Sequence, residues 1–149
     1  YYSPYDKSHP MVTRAAWGFG IETGTQAVRL ILSGIFDRHP KLKIFLGHFG
    51  EAIPFWLPRI HESFTRPGNE HIDFKRIFKE NFWITTSGFF SDNALELCLK
   101  VLNAEKILFA VDWPYANNKV GVDWLANAPI DTHTKKMIFS ENAQNLFNL

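Results

Sequence analysis

The sequence predicts an α/β fold built on a parallel sheet, and three observations predict it. Short apolar runs alternate with stretches whose apolar residues recur at helical spacing, so strands are joined through helices and run parallel. Two of these runs stop abruptly at a chemically active residue. Lys43 to Glu51 reads K-I-F-L-G-H-F-G-E, and Ile107 to Val111 runs straight into Asp112-Trp113-Pro114. Only three strands are convincing, which leaves two unpaired edges, so the chain is expected to be part of a larger sheet.

Taken in order, residues 1–17 read as an irregular loop, with Ser3-Pro4 and His9-Pro10 among polar residues and no sustained period. From Thr23, the residues Ala27, Leu30, Ile31, Gly34 and Ile35 fall on one helical face, and this helix is expected to end near His39-Pro40. Ile44, Phe45 and Leu46 suit a strand buried on both faces. Gly47 and Gly50 permit close backbone approach, and His48 and Glu51 project functional groups where the strand ends.

A helix follows with Pro54 in its first turn, and Pro58 one turn inside predicts a later start or a bend. Thr65 to Asp73 is a loop, and Phe74, Ile77 and Phe78 make a short helix ending near Asn81. Phe82 to Thr86, rich in β-branched and aromatic residues, is the second strand. Ser91 or Asp92 caps a helix carrying Leu95, Cys98, Leu99 and Leu102, and Ile107 to Val111 is the third strand. A weak helix around Val122 to Ala126, one capped by Asp131 or Thr132 and running through Phe139, and a last one from Glu141 to Phe147 complete the chain.

The composition bounds the function. With 149 residues, 46% hydrophobic and 21% charged, the chain reads as one globular domain and as neither disordered nor membrane-spanning. A net charge of +1 with scattered basic residues gives no footprint for nucleic acid. The lone Cys98 has no partner for an internal disulfide and reads as a small core residue in a cytoplasmic protein. Most of the fourteen Phe, five Trp and four Tyr are expected in the core, and an excess over what one small core absorbs would point to subunit contacts.

Four motifs kept in order resemble the metal-dependent decarboxylase branch of the amidohydrolase superfamily. They are W-G-F-G-I-E-T at Trp17 to Thr23, R-L-I-L-S-G-I-F-D-R-H-P-K-L-K-I-F-L-G-H-F-G-E at Arg29 to Glu51, D-W-P at Asp112 to Pro114 and E-N-A-Q-N-L-F at Glu141 to Phe147. The resemblance is to the non-oxidative decarboxylases of 2,3-dihydroxybenzoate, γ-resorcylate and salicylate. It implies that residues 1–149 are the C-terminal part, about three strands and their helices, of a single (β/α)₈ TIM-type barrel.

The resemblance further implies a divalent metal, zinc or manganese. Asp112 is its ligand from the last strand, and the remaining ligands are expected outside this chain. His9, in a Y-D-x-x-H-P context, is not assigned the role of the middle-strand histidine. Asp112 is also the implied acid that protonates the carboxyl-bearing ring carbon before carbon dioxide leaves. His48 and Glu51 match the histidine and glutamate of G-H-x-G-E, which assist proton transfer and hold the substrate's oxygens, with Glu51 turned back toward His48. Arg59 lies where relatives carry an arginine that supports the site or a subunit contact. Ile60-His61 in place of Ile-Asp, and Phe49 in place of methionine, leave the aromatic acid open. The implied partners are a small aromatic carboxylic acid, the N-terminal part of the barrel and further copies of the full-length chain.

Each residue also has a plainer reading. His48 can be a structural histidine near a turn, Asp112 an Asp-x-Pro turn residue, and Glu51 a first-turn glutamate favoured by the helix dipole. Trp113 and Tyr115 read as packing, and His39, His61, His71 and His133 as solvated. Two other functions compete with decarboxylation: a metal-dependent hydrolase of a lactone or amide, and an inactive split or truncated fragment.

Overall fold

The computed structural model describes residues 5–68 and 72–149. Residues 1–4 of the expected N-terminal loop, Asn69 of the Pro67-Gly68-Asn69 turn and His71 lie outside the described residues. The chain forms two compact units, one of residues 1–42 and 51–81, the other of residues 43–50 and 82–149.

The first unit is helical. The expected N-terminal loop instead contains a helical turn at Tyr5–Ser8 and a 3₁₀ turn at Pro10–Thr13. The first long helix, Gly18–Leu32, begins five residues earlier than the apolar period indicates. A Cβ at Gly18 would stand 2.3 Å from the Thr13 carbonyl oxygen, so only glycine lets the helix start against that turn. The helix also stops sooner than expected. Gly34, at φ 67°, breaks it, and its N–H donates to the Ile31 carbonyl before a single turn at Ile35–Arg38.

The helix Ile53–Thr65 contains Pro58 rather than starting after it; a proline there removes one backbone donor in exchange for a fixed φ. Phe74–Asn81 follows as expected. Ala27, Ile31, Phe36, Ile53, Leu57, Phe74, Ile77 and Phe78 are buried, and Phe74 contacts the rings of Phe64 and Phe78. Buried Asn81 donates from its amide to the carbonyls of Pro40 and Leu42 at 3.1 and 2.9 Å, satisfying the segment that leads out of this unit.

The second unit holds a three-stranded parallel sheet of β1 (Ile44–Leu46), β2 (Phe82–Thr85) and β3 (Ile107–Leu108) in that spatial order. Ile44 pairs with Phe82, Leu46 with Ile84, and Ile84 with Ile107. Successive strands are sequence neighbours with helix between them, which is the β/α repeat. β1 departs from the expectation of burial on both faces, because Phe45 is 40% exposed. β1 is an edge of this sheet, and Phe45 is covered only in part, by Trp83 and a stacked Phe147. β3 is shorter than predicted, since after Leu108 the backbone bonds elsewhere: Phe109 N–H donates to the Ile138 carbonyl.

Ser91 caps Asp92–Leu102 by accepting from the Ala94 N–H, Asn117 caps Asn118–Asn127, and Asp131 caps Thr132–Lys136. A π-helical turn at Met137–Glu141 joins that last helix to Asn142–Phe147. Buried Asn142, within the E-N-A-Q-N motif, donates to the carbonyls of Ala104 and Ile107 and ties the C-terminal helix to the start of β3. No helix among the described residues is long and apolar enough to cross a membrane.

Cys98 is a core residue, as expected. Its thiol donates to the Phe49 carbonyl at 3.7 Å, and burial pushes its pKa from 9.0 up to about 12. A raised thiol pKa stabilises the fold fully below pH 9.0, and this contribution is lost as pH rises toward 12, where the unfolded chain gains by ionising first. Chemical unfolding followed from pH 8 to 11 is therefore expected to show a decline that starts near pH 9 and is smaller in a Cys98→Ala variant. The native thiol should resist alkylation that the unfolded thiol accepts readily.

Candidate active site

The end of β1 takes a path that an α/β loop seldom takes. His48, Phe49, Gly50, Glu51 and Ala52 all have positive φ, at 45°, 54°, 80°, 53° and 62°. Each non-glycine residue in this region costs roughly 1–2 kcal/mol, and such strain persists only where the surroundings over-determine it. Within the second unit those surroundings are visible. Phe49 is buried edge-on to the rings of Phe89 and Trp124, and its carbonyl accepts from Cys98. Gly50 is needed at its φ, and its N–H closes the turn on the Gly47 carbonyl at 2.7 Å. Gly47 is less constrained than the sequence implies, since a Cβ there would meet Ser87 only at ordinary contact distance.

Asp112 is reached by an equally unusual path. Beyond β3 the buried Thr86 hydroxyl donates to the Ala110 carbonyl at 2.6 Å and accepts from the Ala110 N–H at 3.1 Å. Asp112 then adopts φ 71°, and its carbonyl accepts from the N–H groups of Tyr115 and Ala116. This brings its Oδ2 to 3.7 Å from His48 Nε2, too long for a direct hydrogen bond but close enough for charge to matter when the imidazole is protonated. Their side chains are 45% and 37% exposed for His48 and Asp112, so both remain open to a ligand. The two residues chosen at separate strand ends therefore converge.

Glu51 lies in the first unit, where its carboxylate and backbone face the helix Gly18–Leu32. A Cβ at Gly20 would stand 2.9 Å from Glu51 Oε2, and one at Gly24 would stand 3.3 Å from the Glu51 carbonyl oxygen. The two glycines, four apart on one helix face, make room for it. Sequence reasoning missed this although both belong to or adjoin the W-G-F-G-I-E-T motif, and their i, i+4 spacing is the signal that finds them.

Arg59 is exposed in Ile53–Thr65, its guanidinium 5.6 Å from the Trp56 ring centroid. Trp113 and Tyr115 do not pack as expected: they are 71% and 89% exposed. His9, His39 and His133 are exposed. His61 is half-buried instead, with Nδ1 3.7 Å from Asp73 Oδ1.

The chemistry of the donors decides what a metal could use here. The Asp112 carboxyl group is accessible and next to an imidazole, which suits one oxygen ligand to a divalent ion. Among the described residues no group of three or more His, Cys, Asp or Glu side chains is placed to hold a metal by itself. The described residues thus offer a divalent metal one oxygen ligand, Asp112.

Successive parallel β/α steps, with an imidazole and a carboxylate meeting beyond the C-terminal ends of two strands, define the ligand-binding end of a (β/α)-barrel domain. The chain belongs to the amidohydrolase family, whose model matches residues 4–149. It is similar to a γ-resorcylate decarboxylase of Polaromonas sp. strain JS666, 41% identical over 97% of this chain and 46% of the relative. A solved dihydroxybenzoic acid decarboxylase from Polaromonas sp. JS666, with bound manganese and the inhibitor 2-nitroresorcinol, superposes with a TM-score of 0.91 at 39% identity, covering 99% of this chain and 46% of that one. A 5-carboxyvanillate decarboxylase from Sphingomonas paucimobilis superposes with a TM-score of 0.87 at 42% identity, again over 99% and 46%. The chain spans about half the length of the curated relatives it matches, and its three-stranded sheet is the corresponding portion of their barrel.

Proposed function

We propose that the protein carrying this chain catalyses metal-dependent, non-oxidative decarboxylation of a hydroxybenzoate-type acid. The observation that carries the reading is the convergence of His48 and Asp112 at 3.7 Å, both on strained backbone at strand ends. The decarboxylase relatives support it.

In this reading residues 1–149 are part of one barrel domain, and Asp112 is both a ligand and the acid. A bound divalent ion, manganese as in the solved relative, would hold the acid's carboxylate and neighbouring hydroxyl and fix the ring. Asp112 delivers a proton from its carboxyl to the ring carbon that bears the carboxylate. The C–C bond then breaks, its electron pair restores the ring, and carbon dioxide leaves. His48, beside the Asp112 carboxyl, assists the proton's movement, and Glu51 of the same motif serves to hold the substrate's oxygens. Arg59 supports the site's wall or a contact between copies in a homo-oligomer. The single buried thiol fits a reducing, cytoplasmic location.

The test is incubation of the intact, manganese-loaded protein with γ-resorcylate, the acid named for the relative, with carbon dioxide and resorcinol both quantified. The expected result is one of each per acid consumed. Turnover of a lactone or amide without carbon dioxide release would favour the hydrolase instead.

A further inference from the structure

The Asp112 carboxylate is seated by residues that lie on neither its own loop nor the G-H-x-G-E turn. They follow the end of β2, in the run Thr86-Ser87-Gly88. Gly88 stands against the side chain of Asp112. A Cβ on Gly88 would lie 3.1 Å from Asp112 Cβ and 3.2 Å from Oδ2, tighter than side chains ordinarily approach, and 3.6 Å from Ala116 Cβ. Its φ of 66° adds a second reason for glycine.

Thr86, fully buried, closes the Ala110 backbone from both sides through one hydroxyl, two residues before Asp112. The regular pairing of β2 with β3 ends at Thr85 and Leu108. Without that hydroxyl, the stretch leading to Asp112 would lose the side-chain bonds that fix Ala110.

We propose that Gly88 and Thr86 are positioning residues for the proposed reaction: Gly88 leaves the space in which the Asp112 carboxylate stands, and Thr86 fixes the backbone that delivers it. This rests on the reading of Asp112 as metal ligand and acid. The plainer alternative is that Gly88 is a turn glycine kept for its backbone alone, and the fold supplies the control that separates the two. Gly34 has φ 67°, almost the same φ, but a Cβ there would meet only Arg38 Nη1 at 3.5 Å and Asp37 Oδ2 at 3.8 Å. Gly34→Ala therefore carries the backbone cost without touching Asp112.

The experiment is a manganese titration of the intact protein, reading unbound Mn(II) by its paramagnetic resonance signal, alongside thermal unfolding. Gly34→Ala and Gly88→Ala are expected to lose similar stability, while only Gly88→Ala weakens manganese binding, by about tenfold or more. Thr86→Val should weaken it as well, and Thr86→Ser, which keeps the hydroxyl, should bind as the unmodified protein does. If Gly88→Ala does not fold, the Thr86 pair still decides. Equal manganese affinity in Gly34→Ala and Gly88→Ala, or in Thr86→Val and Thr86→Ser, overturns the inference. Asp112→Ala separates it from the reading beneath it. Manganese retained by that variant removes the ligand role and the inference together; manganese lost there but kept in Gly88→Ala removes the inference alone.

Discussion

Asp112→Asn is expected to fold like the unmodified protein and to lose about 10³-fold or more in decarboxylation rate, since in the proposed reading it removes the acid and a metal ligand in one step. The substitution isolates chemistry from folding because of where Asp112 sits. At φ 71° most side chains are strained, but asparagine tolerates the left-handed region at least as well as aspartate. The amide preserves the shape beside Gly88 and leaves the carbonyl bonds from Tyr115 and Ala116 in place. Thermal unfolding should therefore shift by no more than about 1 kcal/mol equivalent, while turnover and manganese affinity fall together. A variant that keeps its rate would return Asp112 to the role of a turn residue.

His48→Asn carries the second largest effect. The same backbone argument holds at φ 45°, where asparagine relieves strain rather than adding it, so stability should be kept or slightly raised. The imidazole facing Asp112 is lost, and with it the assistance to proton transfer, for an expected fall of about 10²–10⁴-fold in kcat. Manganese affinity should change far less than in Asp112→Asn, because in the proposed reading His48 acts on the proton and the substrate's oxygens. Equal loss of metal in both variants would make His48 a ligand, and unchanged kcat would make it structural. A β-branched replacement at position 48 is a poor probe, since it would destabilise the left-handed turn as well.

Much of the site was legible in the sequence because its signals are local. G-H-F-G-E and D-W-P each end an apolar run, and the strand register then places those runs in one sheet. Their approach to 3.7 Å is a long-range fact that no spacing predicts. The apolar period of the helix Gly18–Leu32 is readable only from Thr23, because Gly18, Gly20 and Gly24 depress helix propensity and break it. The structure shows each of the three glycines spared for close approach, by Thr13 in one case and Glu51 in the others. Gly34 has no local mark distinguishing it from a helix-face glycine, so one predicted helix became two.

The exposure of Phe45, Trp113 and Tyr115 was equally hidden, because apolar composition gives a preference for burial and not the partner that supplies it. The left-handed run from His48 to Ala52 was legible only at Gly50; of the other residues, Phe49 is held there by packing on Phe89 and Trp124.

The central claim is that this site delivers a proton to a ring carbon as carbon dioxide departs. Turnover of γ-resorcylate by the intact, manganese-loaded protein in deuterium oxide, with the product analysed by mass and NMR, tests it most directly. The account predicts one deuterium per product molecule, on the carbon that carried the carboxylate, with one carbon dioxide released and no dioxygen consumed. Product that gains an oxygen from water or dioxygen, or that forms without release of carbon dioxide, would contradict it.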